Sequence, residues 1–367
     1  MAAIQGEPAR FWHRLDDGRV QCDVCPRECR LREGQRGFCF VRGRPEASES
    51  SESEGLVLTA YGRSTGFCID PIEKKPLSHF FPGTPVLSFG TAGCNLGCRF
   101  CQNWEISTSS RVEALSDAAS PADIARTASE WQCTSVAFTY NDPVIFAEYA
   151  IDTAVACRER GIRTVAVTAG YVLPGARAEL FDVVDAANVD LKGFSETFYR
   201  KVTGSRLSTV LDTLVYLVHS TSVWVEITTL LIPGFNDSDA DIRRLCEWVY
   251  TELGPDVPLH FTAFHPDHKL RDVAATPKAT VGRARRIGLD SGLHFVYTGN
   301  VSDVEGATTS CASCKRKIIV REGYTVTDYR IDTLGRCAAC GAPVPGRFGN
   351  ECGDFGTRRI PVRISIR

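Results

Sequence analysis

Three cysteines fall within eighteen residues of "GTAGCNLGCRFCQNWEIS" (90–107), at the spacing C-x3-C-x2-C: Cys94, Cys98 and Cys101. Two thiols close a disulfide and four close a structural zinc site, so a set of three needs another chemistry. Three thiolates bind three irons of a cubane [4Fe–4S] cluster, whereas clusters that only store electrons are normally held by four. The fourth iron is then left open, as the open position of a catalytic zinc is, for a chelating cofactor. The alternative on spacing alone is zinc, completed by a cysteine from elsewhere in the chain.

Two further cysteine groups flank this one. Cys22, Cys25, Cys29 and Cys39 read C-x2-C-x3-C-x9-C, a closed set of four for zinc or an auxiliary [4Fe–4S] cluster. Cys311, Cys314, Cys337 and Cys340 form two C-x2-C pairs 22 residues apart, the pattern of a zinc ribbon. The remaining five of the sixteen cysteines, Cys68, Cys133, Cys157, Cys246 and Cys352, stand apart and read as small buried hydrophobes, Cys352 least securely because it lies near the last group.

The elements that must position these thiols follow from the hydrophobic pattern. Short β-branched or aromatic runs at 85–90, 135–140, 163–168, 187–192, 222–232 and 258–265 read as six buried strands. Helical patterns at 120–131, 142–161, 237–254 and 276–292 lie between them, which argues for βαβ units and a parallel sheet, doubly wound or closed into a partial barrel. Both place ligands at the carboxyl ends of the strands, where the 90–107 loop emerges. The Ser/Glu-rich stretch 44–55 reads as a flexible solvated loop.

The totals set the frame. The 367 residues are 43% hydrophobic and 23% charged with a net charge of −2, an ordinary globular composition with no field for nucleic acid or anionic membrane. There is no run of 18 apolar residues and no secretory pattern at the N-terminus, so the expectation is a cytoplasmic protein with neither membrane nor nucleic-acid partner. Cysteine-rich clusters in reducing cytosol bind metal more often than they form disulfides.

The motif Cys94-x3-Cys98-x2-Cys101, with Phe100 before the last cysteine, resembles the radical S-adenosylmethionine (SAM) signature. "IDPIEKKPLSHFFPGTPVLSFGTAGCNLGCRFCQNWEIS", "FTYNDP", "VDLKGF", "EITTLLIPGFND", "LHFTAFHPDHK" and "VYTGNV" follow in order after "CDVCPRECRLREGQRGFC". Together, over about residues 20–348, they resemble the radical SAM enzyme of the AmmeMemoRadiSam system, a relative of the pyruvate formate-lyase activating enzymes. The resemblance implies a partial (β/α)6 barrel (77–300) between an N-terminal Cys-rich module (1–76) and a C-terminal zinc-ribbon-like module (301–367). It also implies reductive cleavage of SAM at the cluster to a 5′-deoxyadenosyl radical that abstracts hydrogen from a protein or small-molecule substrate. The electron donor would be a ferredoxin or flavodoxin, and the partners Memo-like and AMMECR1-like proteins.

The resemblance also assigns SAM contacts. Tyr140, Asn141 and Asp142 fall where the family has a Gly-Gly-Glu-like segment, with Asp142 one methylene shorter than the usual Glu and also suited to cap a helix ahead of Pro143. Asp190 and Lys192 alternate to one face of a strand, Lys192 suiting the SAM carboxylate. His265 is assigned to SAM or its ribose, while His260 and His268 read as core or surface histidines. "VTAGY" departs from the usual Asn-Gly-Tyr at Ala169, with Thr168 as a weak substitute. Two other classes fit the cysteines without SAM: a multi-cluster iron–sulfur electron-transfer protein and a zinc-binding interaction scaffold.

Overall fold

A computed structural model describes residues 4–46, 55–109 and 117–364. Most of the acidic stretch 44–55, expected as a loop, lies outside the described residues.

The central sheet has nine strands. Seven are parallel: Pro85–Phe89, Ser135–Phe138, Arg163–Thr168, Ala186–Asp190, Trp224–Leu231, Leu259–Ala263 and Val296–Gly299. Each lies beside its predecessor in the chain, so the strand order never reverses. A doubly wound sheet needs such a reversal; sequential order is the winding of a barrel wall, with its site at the strands' carboxyl mouth. Six helices alternate with these strands: Pro121–Glu130, Ala147–Arg158, Pro174–Asp182, Leu207–Ser220, Asp239–Trp248 and Lys278–Asp290. This is the radical-SAM-type α/β fold expected, with six β/α units and a seventh strand, Val296–Gly299, beyond the six read from the sequence. That strand is four residues long, and its Val-Tyr-Thr-Gly ends in glycine rather than continuing an apolar run.

Side-chain caps mark two of the helices read from the sequence. Ser120 and Asp123 form a reciprocal capping box, and Ser238 accepts from the Asp241 amide. Pro174–Asp182 and Leu207–Ser220, neither read from the sequence, start without a side-chain cap. The second is held by tertiary packing: Leu207, Val210, Leu214 and Leu217 recur at helical spacing and are buried.

The other two strands of the sheet are antiparallel and come from the flanking segments. Phe67–Pro71 pairs with Pro85–Phe89, and Ile360–Val362 covers its outer edge. The sheet therefore draws on all three stretches, 1–76, 77–300 and 301–367, rather than on the middle one alone. Extending an edge with a short strand from a distant segment shields backbone groups that would otherwise template aggregation.

The N-terminal cysteines sit around the antiparallel strands Trp12–Arg14, Val20–Cys22 and Arg30–Leu31. This part is pinned to the core by Arg42, fully buried, whose guanidinium grips Glu148 at 2.7 and 2.8 Å. A planar guanidinium matches a carboxylate at both oxygens, so this pair fixes orientation as well as contact. The C-terminal strands Thr309–Ser310, Lys317–Glu322 and Thr325–Tyr329 are tied on by Arg321, which donates to the Ser78 carbonyl at 2.6 Å. Among the isolated cysteines, Cys68, Cys133, Cys157 and Cys246 are buried, and Cys352 is half-buried against Pro82. Among the described residues no helix is long and apolar enough to cross a membrane.

Candidate active site

The loop after the first parallel strand carries Cys94, Cys98 and Cys101 to the carboxyl mouth of the sheet. There they border a cavity of about 320 Å³, near the lower end for small-molecule sites. Its other walls include side chains at or near strand ends, Asn141 and Asp142, Thr168, Asp190 and Lys192, Thr262 and Asn300, with Thr228 from within its strand and Lys74 and Pro76 from ahead of the first parallel strand.

The loop is held by its neighbour. Asn141 Oδ1 accepts from the Thr91 amide at 3.1 Å, and its Nδ2 donates to Thr91 Oγ1 at 3.0 Å and to the Gly93 carbonyl at 2.8 Å. Gly93 has φ +86°, and a Cβ there would sit 2.0 Å from the Cys39 carbonyl oxygen, so only glycine fits. Tyr140 also has positive φ, at 71°, a strained value for a bulky residue. Its carbonyl accepts from Asn103 Nδ2 at 2.8 Å and its hydroxyl donates to Asp70 Oδ2 at 3.0 Å, which hold it there.

Asp142 does cap the following short helix, accepting from the Val144 amide at 3.1 Å. It also accepts from Thr168 Oγ1 and the Ala169 amide, each at 2.9 Å. Burial pushes its carboxyl above the ordinary value despite those donors. Lys192 Nζ lies 2.7 Å from Asp190 Oδ2 and 5.9 Å from the Phe100 ring. Burial acts to lower the Lys192 pKa, but the Asp190 carboxylate beside it outweighs this and holds the ammonium charged. The strand-end ion pair and the cavity lining thus coincide in the same two residues.

The structure brings Phe100, Tyr140, Asn141, Asp142, Asp190 and Lys192 together with the three cysteines around this cavity. It does not bring His265: that side chain is exposed, its Nδ1 3.2 Å from the neighbouring Pro266 carbonyl, and outside the lining. Thr262 and Asn300 occupy that wall instead. His260 is buried on Glu226 at 2.7 Å, a core role, and His268 stacks on Trp104. Sequence reading missed Thr228, Thr262 and Asn300; Thr262 and Asn300 are polar side chains near or just beyond the carboxyl ends of their parallel strands, a signal the sequence offers, whereas Thr228 lies inside Trp224–Leu231.

Residues 89–246 match the Radical SAM superfamily. The chain belongs to the radical SAM superfamily. The uncharacterized protein MJ0808 of Methanocaldococcus jannaschii is 39% identical over 337 residues, covering 92% of this chain and 98% of that protein. The pyruvate formate-lyase-activating enzyme of Clostridium pasteurianum is 25% identical over 209 residues, 54% of this chain and 87% of that enzyme. A radical SAM methyltransferase structure from Sphaerobacter thermophilus aligns with a TM-score of 0.48 at 17% identity, over 65% of this chain and 71% of that one. The chain is thus an enzyme with radical SAM chemistry, and membership implies a [4Fe–4S] cluster and SAM.

The radical SAM residues fit those groups. Burial pushes the Cys98 thiol up to about 12 and the Cys94 thiol higher still, so as bare thiolates they would be costly; bound iron supplies the missing positive charge. Cys94, Cys98 and Cys101 are the cysteines of the cavity lining among the described residues, which leaves no fourth thiol there. Thr228, whose side chain joins the same lining, has its hydroxyl buried without a hydrogen-bond partner among the described residues. At the far end of the fold, the thiols of Cys311, Cys314, Cys337 and Cys340 all lie within 4.8 Å of one another, a set able to hold a metal ion.

Proposed function

We propose that Cys94, Cys98 and Cys101 hold the [4Fe–4S] cluster through three irons, and that SAM occupies the adjoining cavity. The observation that carries this reading is the three-thiol lining with a charged Lys192–Asp190 pair beside it. When bound, cluster and SAM together supply reductive C–S cleavage and hydrogen abstraction from a protein or small-molecule substrate. The chain's own residues do the placing. Lys192 offers its ammonium to the SAM carboxylate, and Asp190 keeps that ammonium charged and oriented. Asn141 fixes the cysteine loop; Asp142 ties the second parallel strand's turn to the third's through Thr168 and Ala169. Phe100 forms an apolar wall near Lys192, where low dielectric strengthens each charged contact.

The sequence resemblance supports a place in the AmmeMemoRadiSam system, with Memo-like and AMMECR1-like proteins as partners and a ferredoxin or flavodoxin as donor. Relatives named as activating enzymes support a protein substrate as one arm of the test. The C-terminal four thiols are assigned to zinc, supported by Sγ–Sγ distances of 3.7 and 3.8 Å. A cytoplasmic location accords with reduced thiols throughout.

Anaerobically reconstituted enzyme, given SAM and dithionite, should release 5′-deoxyadenosine and methionine, and Cys98→Ala should abolish both. Iron-loaded enzyme that forms neither would overturn the reading.

A further inference from the structure

A second cavity, of about 110 Å³, adjoins the one assigned to SAM. Lys74, Pro76, Thr262 and Asn300 border both, so the two meet across a shared wall. It lies where the run of parallel strands ends. Tyr297, Thr298 and Gly299 of the last parallel strand, Val296–Gly299, form one side, and Arg321 of the C-terminal strand Lys317–Glu322 forms another. An apolar cavity of about 150 Å³ holds a six-carbon ring, so about six non-hydrogen atoms fit here.

The wall carries two polar atoms with nothing to bond. Arg321 is buried, and its terminal nitrogens are taken: Nη1 donates to the Ala307 carbonyl at 3.2 Å and to Thr309 Oγ1 at 3.0 Å, and Nη2 to the Ser78 carbonyl at 2.6 Å. Glu73 is buried as well, and its Oε1 accepts from the Gly83 amide at 2.7 Å. Among the described residues, Arg321 Nε and Glu73 Oε2 have no hydrogen-bond partner. Nε lies 3.6 Å from Glu73 Oε1, near enough for attraction and too far for a hydrogen bond. A donor and an acceptor are thus left over side by side on one cavity. Buried polar groups rarely go without partners, because each left unpaired is destabilising.

These leftovers specify the occupant. Arg321 and Glu73 offset each other's charge, so a carboxylate, phosphate or ammonium arriving there would meet its like charge beside its opposite. A neutral group with its own donor next to its own acceptor meets no such conflict. Its N–H donates to Glu73 Oε2 and its carbonyl accepts from Arg321 Nε, which is the edge of an amide or lactam. Both residues line this cavity and not the SAM cavity. They hold the polar edge at the end away from SAM and leave the rest of the molecule facing it.

We propose that this cavity is the substrate's compartment, and that the substrate is a small molecule whose amide or lactam edge is held by Glu73 and Arg321. Calling it the substrate's compartment rests on the placing of SAM given above; amide binding there does not.

Butyrolactam is the probe, with cyclopentanone (acceptor only) and pyrrole (donor only) as five-membered-ring controls. Ligand-observed NMR on the full chain, with and without saturating SAM, reads their binding. The lactam should bind several-fold tighter than either control, each of which leaves one of the two protein atoms unpaired. Glu73→Gln keeps the shape, but its oxygen stays on the Gly83 amide and an N–H takes the place of Oε2. Lactam binding should then fall about tenfold or more, while cyclopentanone, which does not use Oε2, should hold. Lactam and SAM should bind together. No preference for the lactam over both controls would overturn the proposal, and that comparison needs no variant to fold. So would lactam binding that Glu73→Gln leaves unchanged, or a lactam that competes with SAM. Lactam binding to protein that releases no 5′-deoxyadenosine from SAM and dithionite would instead sink the reading of the first site and leave the amide site standing.

Discussion

Asn141 Nδ2 donates to the carbonyl of Gly93 at 2.8 Å, so the end of the second parallel strand braces the backbone one residue before Cys94. With its other two bonds to Thr91, this buried amide has few donors or acceptors to spare for a ligand. The family resemblance points to Asn141 as a cofactor contact; the geometry makes it the residue that positions the cysteine loop. Asn141→Ala removes three hydrogen bonds, about 0.5–1.5 kcal/mol each, and leaves the Thr91 and Gly93 groups unpaired. The expected outcome is iron loss from the Cys94 site on gel filtration, read by iron assay and by the reduced-cluster EPR signal, with the C-terminal zinc retained.

Lys192 and Asp190 should separate by kinetics. Lys192→Met removes a charge-assisted bond to the SAM carboxylate, worth about 1.5–3 kcal/mol, and should raise the KM for SAM about ten- to a hundredfold. Asp190→Asn keeps the shape but takes away the charge that holds the ammonium, and should raise KM less. Steady-state 5′-deoxyadenosine formation against SAM concentration checks both.

Thr228 offers a cleaner probe, because its hydroxyl has no hydrogen-bond partner among the described residues. Thr228→Val is close in shape, so the melting temperature of the protein without SAM should hold or rise slightly. Binding at the cavity should weaken several-fold if the hydroxyl meets the ligand. Calorimetric titration of SAM into the reconstituted enzyme reads the second effect, and thermal denaturation the first.

Much of the site was legible because its chemistry is local. The C-x3-C-x2-C spacing, the Asp190/Lys192 alternation and the strand ends all stand in short stretches of sequence. What failed was long-range. His265 sits in a suggestive motif, yet the chain turns at Pro266 and leaves the ring in solvent, while Asn300, from the strand read as no strand, takes the wall. The uncapped helix Leu207–Ser220 and the edge strand Ile360–Val362 depend on packing partners far away in sequence, which local pattern cannot supply.

Stability should depend on pH through His79. Its ring is buried; Nδ1 faces the Pro345 carbonyl and Nε2 the Tyr297 hydroxyl, both at 2.6 Å. A carbonyl can only accept, so Nδ1 carries the proton and Nε2 accepts from Tyr297. Burial lowers the pKa to about 4 from 6.5, against the opposing pull of Glu226. Between those values the unfolded chain binds the proton and the folded chain does not, so stability falls as pH drops from 6.5 towards 4. The full loss is on the order of 3 kcal/mol. Melting temperatures of the wild type and His79→Gln across that window should converge as pH falls.

The account stands on an iron left open by a set of three thiols and taken by SAM. EPR of the reduced cluster, recorded with and without SAM carrying 17O in its carboxylate, tests it most directly. The prediction is a shifted signal with hyperfine broadening from the label, lost again in Lys192→Met at the same SAM concentration. A signal unchanged by saturating SAM, in protein that retains its iron, would contradict it.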